Sequence, residues 1–115
     1  MSGRPETAYK VLTRAEMAQM QEKGRFDGAP VDLADGYVHL SSAEQLTETV
    51  DKHFAGQNDL VVLAVDLAGL GEAVRWEESR GGALFPHLYA PLPLTAVLAH
   101  GPLERDADGA VKLPG

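Results

Sequence analysis

The sequence predicts a single domain that mixes α-helices with β-strands. Its 115 residues are enough for one hydrophobic core and too few for two domains. Two segments have the capping-box spacing of a helix start, in which Ser or Thr is followed three residues later by Glu or Gln. Other short segments alternate apolar and polar residues, or are continuously apolar, which is typical of strands.

Composition limits the function classes that fit this chain. There is no cysteine, which excludes disulfides, thiolate metal sites and a thiol nucleophile. The formal net charge of −7 argues against a protein that holds duplex nucleic acid by its phosphates. No apolar run approaches the ~20 residues of a membrane span, and residues 1–6 lead into no signal-peptide core. We therefore expect a cytoplasmic protein with no membrane or duplex-nucleic-acid partner.

The first part of the chain reads as a strand, a helix and a loop. Residues 8–12 predict a short strand, and Thr13 with Glu16 predicts a capped helix that ends at Gly24. Residues 24–35 are rich in turn dipeptides, and they predict a long, mobile surface loop.

Residues 36–45 are the most informative stretch. Their first half alternates like a half-buried strand, with one face formed by Tyr37, His39 and Ser41 and the other by Val38 and Leu40. Their second half predicts a helix capped by Ser41 or Ser42. A histidine and a hydroxyl would then meet at a helix N-terminus, where free N–H groups favour an anion or a carbonyl oxygen. A core histidine beside an ordinary cap is an equally good interpretation of this pattern.

The second half of the chain predicts a helix followed by several strands. The helix should run from Ala43 to about Phe54, and residues 60–65 should form a central strand covered on both faces. Residues 66–71 predict one helical turn, and residues 74–77 predict another strand.

Prolines and a turn shape the rest of the chain. Pro86, Pro91 and Pro93 argue against a regular central strand, so this region predicts an extended wall over the sheet. A further strand is expected over residues 94–100, and the turn at residues 106–109 should fold Val111 and Leu113 back.

Polar and aromatic side chains suggest a ligand site. The candidate set is His39, Ser41, Arg80, His87 and Tyr89, with Trp76 and Phe85 as flat surfaces. It suits a ligand with a planar ring, hydroxyl groups and some negative charge. No histidine pair has the spacing of a helical zinc motif, and there is no Gly-x-Ser-x-Gly elbow of a hydrolase. We therefore expect a small-molecule or nucleotide ligand and no metal.

Four motifs resemble the bacterial domain-of-unknown-function 952 family, and the likeness extends over residues 8 to about 100. The motifs are Tyr37-Val38-His39-Leu40-Ser41-Ser42-Ala43-Glu44-Gln45, His53-Phe54-Ala55-Gly56, Val74-Arg75-Trp76-Glu77 and Phe85-Pro86-His87-Leu88-Tyr89-Ala90-Pro91-Leu92. The resemblance implies the ADP-ribosylation fold, a compact α+β domain with two main helices in which a split, mostly antiparallel sheet cradles NAD. Residues 1–115 would be one domain, with a family-like core at 8–100 and a C-terminal extension at 101–115.

The same resemblance implies roles for individual residues. His39 is similar to the strand histidine that holds the nicotinamide ribose in ADP-ribosyltransferases and in NAD-using RNA 2′-phosphotransferases, and Glu77 would take the catalytic glutamate role. The ligand-binding residues would be Tyr37, Ser41, Trp76, Arg80, Phe85, His87 and Tyr89. NAD would be the cofactor. The alternative is a non-catalytic module on the same fold that binds a small metabolite or a partner protein.

Overall fold

Three small antiparallel sheets and four α-helices form the described part of the chain, residues 5–114 of a computed structural model. The side chain of Arg80 lies outside this description. In chain order the strands are β1 (Thr7–Thr13), β2 (Arg25–Phe26), β3 (Val38–His39), β4 (Leu60–Asp66), β5 (Val74–Glu78), β6 (Leu84–Leu88), β7 (Leu92–Pro93) and β8 (Val97–Pro102). The helices are α1 (Arg14–Lys23), α2 (Pro30–Asp35), α3 (Ala43–His53) and α4 (Leu67–Leu70). The predicted compact α+β domain is confirmed at this level.

Strand β4 is the middle strand of the largest sheet, whose order is β1-β4-β8. Its two faces serve two hydrophobic cores. Leu63 and Val65 pack in one core with parts of α1 and β6, whereas Leu60 and Val62 pack in the other with α3. Burial on both faces explains the unbroken apolar sequence, and it confirms the predicted central strand.

Both predicted capping boxes are present. The Thr13 hydroxyl accepts from the backbone N–H of Glu16 at 3.1 Å, and the Glu16 carboxylate accepts from the N–H of Thr13 at 2.9 Å. Ser42 and Gln45 form the same reciprocal pair at the start of α3. Helix α1 ends at Gly24, whose φ of 80° is left-handed backbone that glycine adopts without steric cost.

The predicted loop at residues 24–35 is wrong, because it contains β2 and α2. Strand β2 pairs with β7, and Pro30 stands in the first turn of α2, where its missing N–H costs nothing. Asp32 stabilises this start, because its carboxylate accepts from the N–H of Ala29 at 2.8 Å. The turn dipeptides are at the ends of short elements rather than within one loop.

Pro86 does not exclude a central strand, contrary to the prediction of an extended wall. Strand β6 contains Pro86 and is the middle strand of a sheet ordered β3-β6-β5. The Pro86 carbonyl accepts from Leu40 N–H at 3.1 Å. The proline nitrogen faces the same neighbour, because N and C=O of one residue point to the same side of a strand. Strand β3 ends at His39, so few ladder bonds are lost there.

The C-terminal segment agrees with prediction only in part. Residues 94–96 form a 3-10 turn before β8, so the predicted strand begins at Val97. Val111 returns to the second core beside Leu103, whereas Leu113 stays 48% exposed and does not fold back as expected. Within residues 5–114, no helix is long and apolar enough to cross a membrane.

Candidate functional site

The sheet β3-β6-β5 has one apolar face and one polar face. Val38, Leu88 and Trp76 contribute to the first hydrophobic core on the apolar face. Alternation places the intervening residues on the other face, and the strand register sets His87 opposite both His39 of β3 and Arg75 of β5. Two histidines are therefore neighbours, with ring centroids 5.7 Å apart.

Asp32 of α2 is a buried carboxylate that accepts hydrogen bonds from four donors. Lys10 of β1 reaches it at 3.0 Å. The backbone N–H of Ala29 donates at 2.8 Å and that of His39 at 3.0 Å. The fourth donor is Nδ1 of His39, at 2.6 Å from Oδ1. The Asp32 side chain is 1% exposed, so these donors replace the water that burial removes.

Burial and direct pairing have opposite effects on the pKa values of Asp32 and Lys10. Burial alone would raise the pKa of Asp32, but the hydrogen bonds from His39 and the charge of Lys10 outweigh it and hold the pKa at about 2. Burial lowers the pKa of Lys10, and the Asp32 carboxylate opposes that shift. Asp32 is therefore ionised across the physiological range.

His39 lies between two carboxylates of the same helix. Its Nδ1 faces Asp32, and its Nε2 lies 2.9 Å from Oδ2 of Asp35. When both carboxylates are ionised, both bonds can form together only if both ring nitrogens carry a hydrogen. The Asp35 side chain is 46% exposed, whereas that of Asp32 is 1% exposed. A ligand could therefore replace the bond between His39 and Asp35.

His87 is held by a different carboxylate. Its Nδ1 lies 2.8 Å from Oε1 of Glu77, and the Tyr89 hydroxyl donates to the same oxygen at 2.7 Å. Hydrogen bonds from Tyr89 and His87 lower the pKa of Glu77, and the bond to Glu77 raises the pKa of Tyr89. An ionised Glu77 accepts the Nδ1 hydrogen, so in the neutral imidazole the lone pair is on Nε2.

Tyr37 closes the cluster by stacking on His87. The two ring centroids are 4.0 Å apart at an interplanar angle of 24°. Tyr37 also contacts His39 at 4.7 Å and Tyr89 at 5.2 Å between centroids, and the Arg75 guanidinium lies over the Tyr89 ring. The rings therefore hold both histidines in place on the sheet.

A cavity of about 580 Å³ lies among β1, the start of α1, α2, β3, α3 and β6. Its volume is in the range of small-molecule and cofactor sites. Charged and polar side chains on its wall are Tyr9, Lys10, Thr13, Glu16, Asp35, His39, Ser41, Thr49, His53, Ser79 and His87. Phe85 contributes an aromatic surface, and the Ser41 hydroxyl is 2.9 Å from that of Thr49.

The structure brings together most of the residues that the sequence singled out. Four of them line the cavity: His39, Ser41, Phe85 and His87. Three others support the histidines: Tyr37 and Glu77 contact His87 directly, and Tyr89 acts through Glu77 and Tyr37. Trp76 is on the opposite, core face of the sheet. The Arg80 side chain is outside the described residues.

Lys10, Asp32 and Asp35 are central to the site and were missed by sequence reasoning. Lys10 carried a signal, because it stands between Ala8 and Leu12 on the buried side of β1, and a buried lysine needs an anionic partner. Pro30 followed by Asp32 was a second signal, typical of a helix start. Among the residues that the structure describes, no group of three or more His, Asp or Glu is arranged to hold a metal ion.

Comparison with known families and structures identifies the relatives of this chain. Residues 11–100 match the profile of a family described as "Protein of unknown function (DUF952)". The chain belongs to this DUF952 family. A search of the curated proteins finds no match.

Experimental structures of a similar protein, CC0527 from Caulobacter crescentus, support the fold. In its crystal structure, the sequence is 52% identical to this DUF952 chain, and the match covers 93% of this chain and 94% of the other. The two structures superpose with a TM-score of 0.85. The crystal structure of a double mutant gives 50% identity and a TM-score of 0.84 over the same coverage. The solution NMR structure gives 51% identity, 93% and 91% coverage and a TM-score of 0.78.

Proposed function

We propose that this domain binds NAD or ADP-ribose in the cavity and acts on the bond between nicotinamide and ribose. The observation that carries the proposal is the pair of adjacent histidines on the cavity wall, each held by a carboxylate. Carboxylate-oriented imidazoles are suited to hold ribose hydroxyl groups and to accept a proton.

The remaining wall of the cavity suits the other parts of such a ligand. Phe85 offers a flat apolar surface for a planar ring, and Ser41 offers a hydroxyl group. The nicotinamide ring of NAD carries a positive charge, and so does the ribose carbon as the bond to nicotinamide breaks. Asp35 and Glu16 on the same wall would stabilise that charge.

His39 would orient the ribose in this proposal. Helix α2 presents Asp35 to Nε2 of His39 at 2.9 Å, and a ribose hydroxyl could take the place of this exposed carboxylate. Asp32 would keep the ring in position throughout, because its bond to Nδ1 is buried.

A non-catalytic binding module is the second candidate, and one observation favours it. Glu77 accepts from both His87 and Tyr89, and it is not part of the cavity wall. The carboxylate that the family resemblance assigns to catalysis is thus already engaged, as it would be in a site that binds a metabolite without changing it.

Amide chemical shifts recorded with NAD, ADP-ribose and nicotinamide added separately test the proposal. We expect shifts at residues 37–42 and 84–89 with NAD and ADP-ribose. Absence of shifts there for all three ligands would contradict it. Release of nicotinamide separates the two candidates: turnover that falls in Glu77→Gln supports the enzyme, whereas binding without any turnover supports the module.

A further inference from the structure

We infer that His87 is the proton acceptor of the cavity, and that it deprotonates a water or alcohol hydroxyl group that receives the ribosyl group. This inference rests on the proposed function. It gives His87 the catalytic role that the family resemblance assigned to Glu77. His87 lines the cavity, whereas Glu77 contacts His87 and would act as a positioning residue.

The geometry gives His87 the properties of a base. Its side chain is 4% exposed, so contacts with neighbouring residues fix the orientation of the ring. Glu77 engages Nδ1 at 2.8 Å, and Tyr37 stacks on the ring at 4.0 Å between centroids. Because Glu77 accepts the hydrogen on Nδ1, the neutral ring has its lone pair on Nε2, and His87 is part of the cavity wall.

The other histidine of the pair is arranged for a different role. Both ring nitrogens of His39 already have carboxylate partners, at 2.6 Å and 2.9 Å, so neither is free to receive a proton from a ligand while both contacts are in place. The charged groups around His87 are Glu77 and Arg75 of β5, with His39 beside it on β3.

The step balances with water as the acceptor. A water O–H proton passes to Nε2 of His87, and the water oxygen bonds to the ribose carbon. The bond from that carbon to the nicotinamide nitrogen breaks, and nicotinamide leaves with the electron pair. The products are ADP-ribose, nicotinamide and one proton, which His87 returns to solvent. An alcohol in place of water gives the alkyl riboside of ADP by the same transfers.

Glu77→Gln is the sharpest variant, because it keeps the shape and one acceptor oxygen but removes the charge that fixes the His87 hydrogen. Its matched control is Glu78→Gln, the same change at the next residue of β5, on the opposite face of the strand. Ring ¹⁵N shifts of His87 should show a hydrogen on Nδ1 and a lone pair on Nε2 in the parent and in Glu78→Gln, and a mixture of both tautomers in Glu77→Gln.

Nicotinamide release supplies the second readout. We expect kcat to fall at least tenfold in Glu77→Gln with KM within twofold, little change in Glu78→Gln, and an alkyl riboside product when methanol is added. A hydrogen on Nε2 of His87 in the parent, or an unchanged kcat in Glu77→Gln, would overturn the inference while leaving NAD binding intact. A protein that binds no NAD would remove the proposed function and the ribosyl step together.

Discussion

At the scale of single residues, Asp32 connects several segments of the chain at the site. It joins β1 through Lys10, caps its own helix through Ala29 and orients His39. These donors come from three segments of the chain, so one carboxylate fixes where β1, α2 and β3 meet at the cavity.

Asp32→Asn should cost about 3–5 kcal/mol of unfolding free energy, because it leaves Lys10 charged and buried without its partner. Denaturant unfolding measures this loss. Asp27→Asn is the control, since Asp27 is 41% exposed in its pairs with Lys23 and Arg25 and should lose less than about 1 kcal/mol. A loss below 1 kcal/mol for Asp32→Asn would contradict its assigned role.

Acid should weaken the fold through the same carboxylate. The pKa of Asp32 is held at about 2 against an ordinary 3.8, so folding disfavours its protonation. Its contribution, about 2 kcal/mol, is present in full above pH 4 and is lost as pH falls through 2. Unfolding free energies measured from pH 6 to 2 should fall by about 2 kcal/mol more in the parent than in Asp32→Asn, in which the other carboxylates still titrate. Parallel curves for the two proteins would refute this source of acid sensitivity.

At the scale of elements, α3 positions one wall of the cavity. Its first turn combines the Ser42 capping box with a bond from the Gln45 side chain to the Leu84 carbonyl at 2.7 Å. The helix start is thereby attached to β6, the strand that carries Phe85 and His87.

Ser42→Ala should lower the unfolding free energy by about 1 kcal/mol, because it removes the hydroxyl that caps Gln45 N–H. Thermal denaturation is the measurement. Thr95→Ala, at an exposed position of a 3-10 turn, is the control and should change the free energy by less than about 0.5 kcal/mol. Equal effects of the two substitutions would argue against the cap.

The features that could be predicted from the sequence depend on residues close together in the chain, whereas the features that were missed depend on contacts between distant residues. Both capping boxes span three residues, and the faces of β3 follow from alternation, so both could be predicted. Lys10 and Asp32 are 22 residues apart, and nothing local joins them. The strand at Pro86 was missed for a similar reason: whether a proline is tolerated depends on where its neighbouring strand ends, which only the assembled sheet decides.

At the scale of the whole molecule, the sheet β1-β4-β8 separates the two hydrophobic cores. The cavity lies between this sheet and the sheet β3-β6-β5. Lys10 on β1 and His87 on β6 line the same cavity, although their strands belong to different sheets. The polar face of the sheet β3-β6-β5 thus faces a ligand-sized cavity, while its apolar face contributes to the first core.

Calorimetric titration of ADP-ribose into the parent and His39→Ala tests this account most directly. The variant should still fold, because Asp32 keeps Lys10 and two backbone N–H donors, and its thermal unfolding should confirm this. We expect one-to-one binding to the parent, at least tenfold weaker binding to His39→Ala, about 1.4 kcal/mol, and no change in Thr95→Ala. The account is contradicted if a folded parent gives no binding at millimolar ADP-ribose, or if His39→Ala binds equally well.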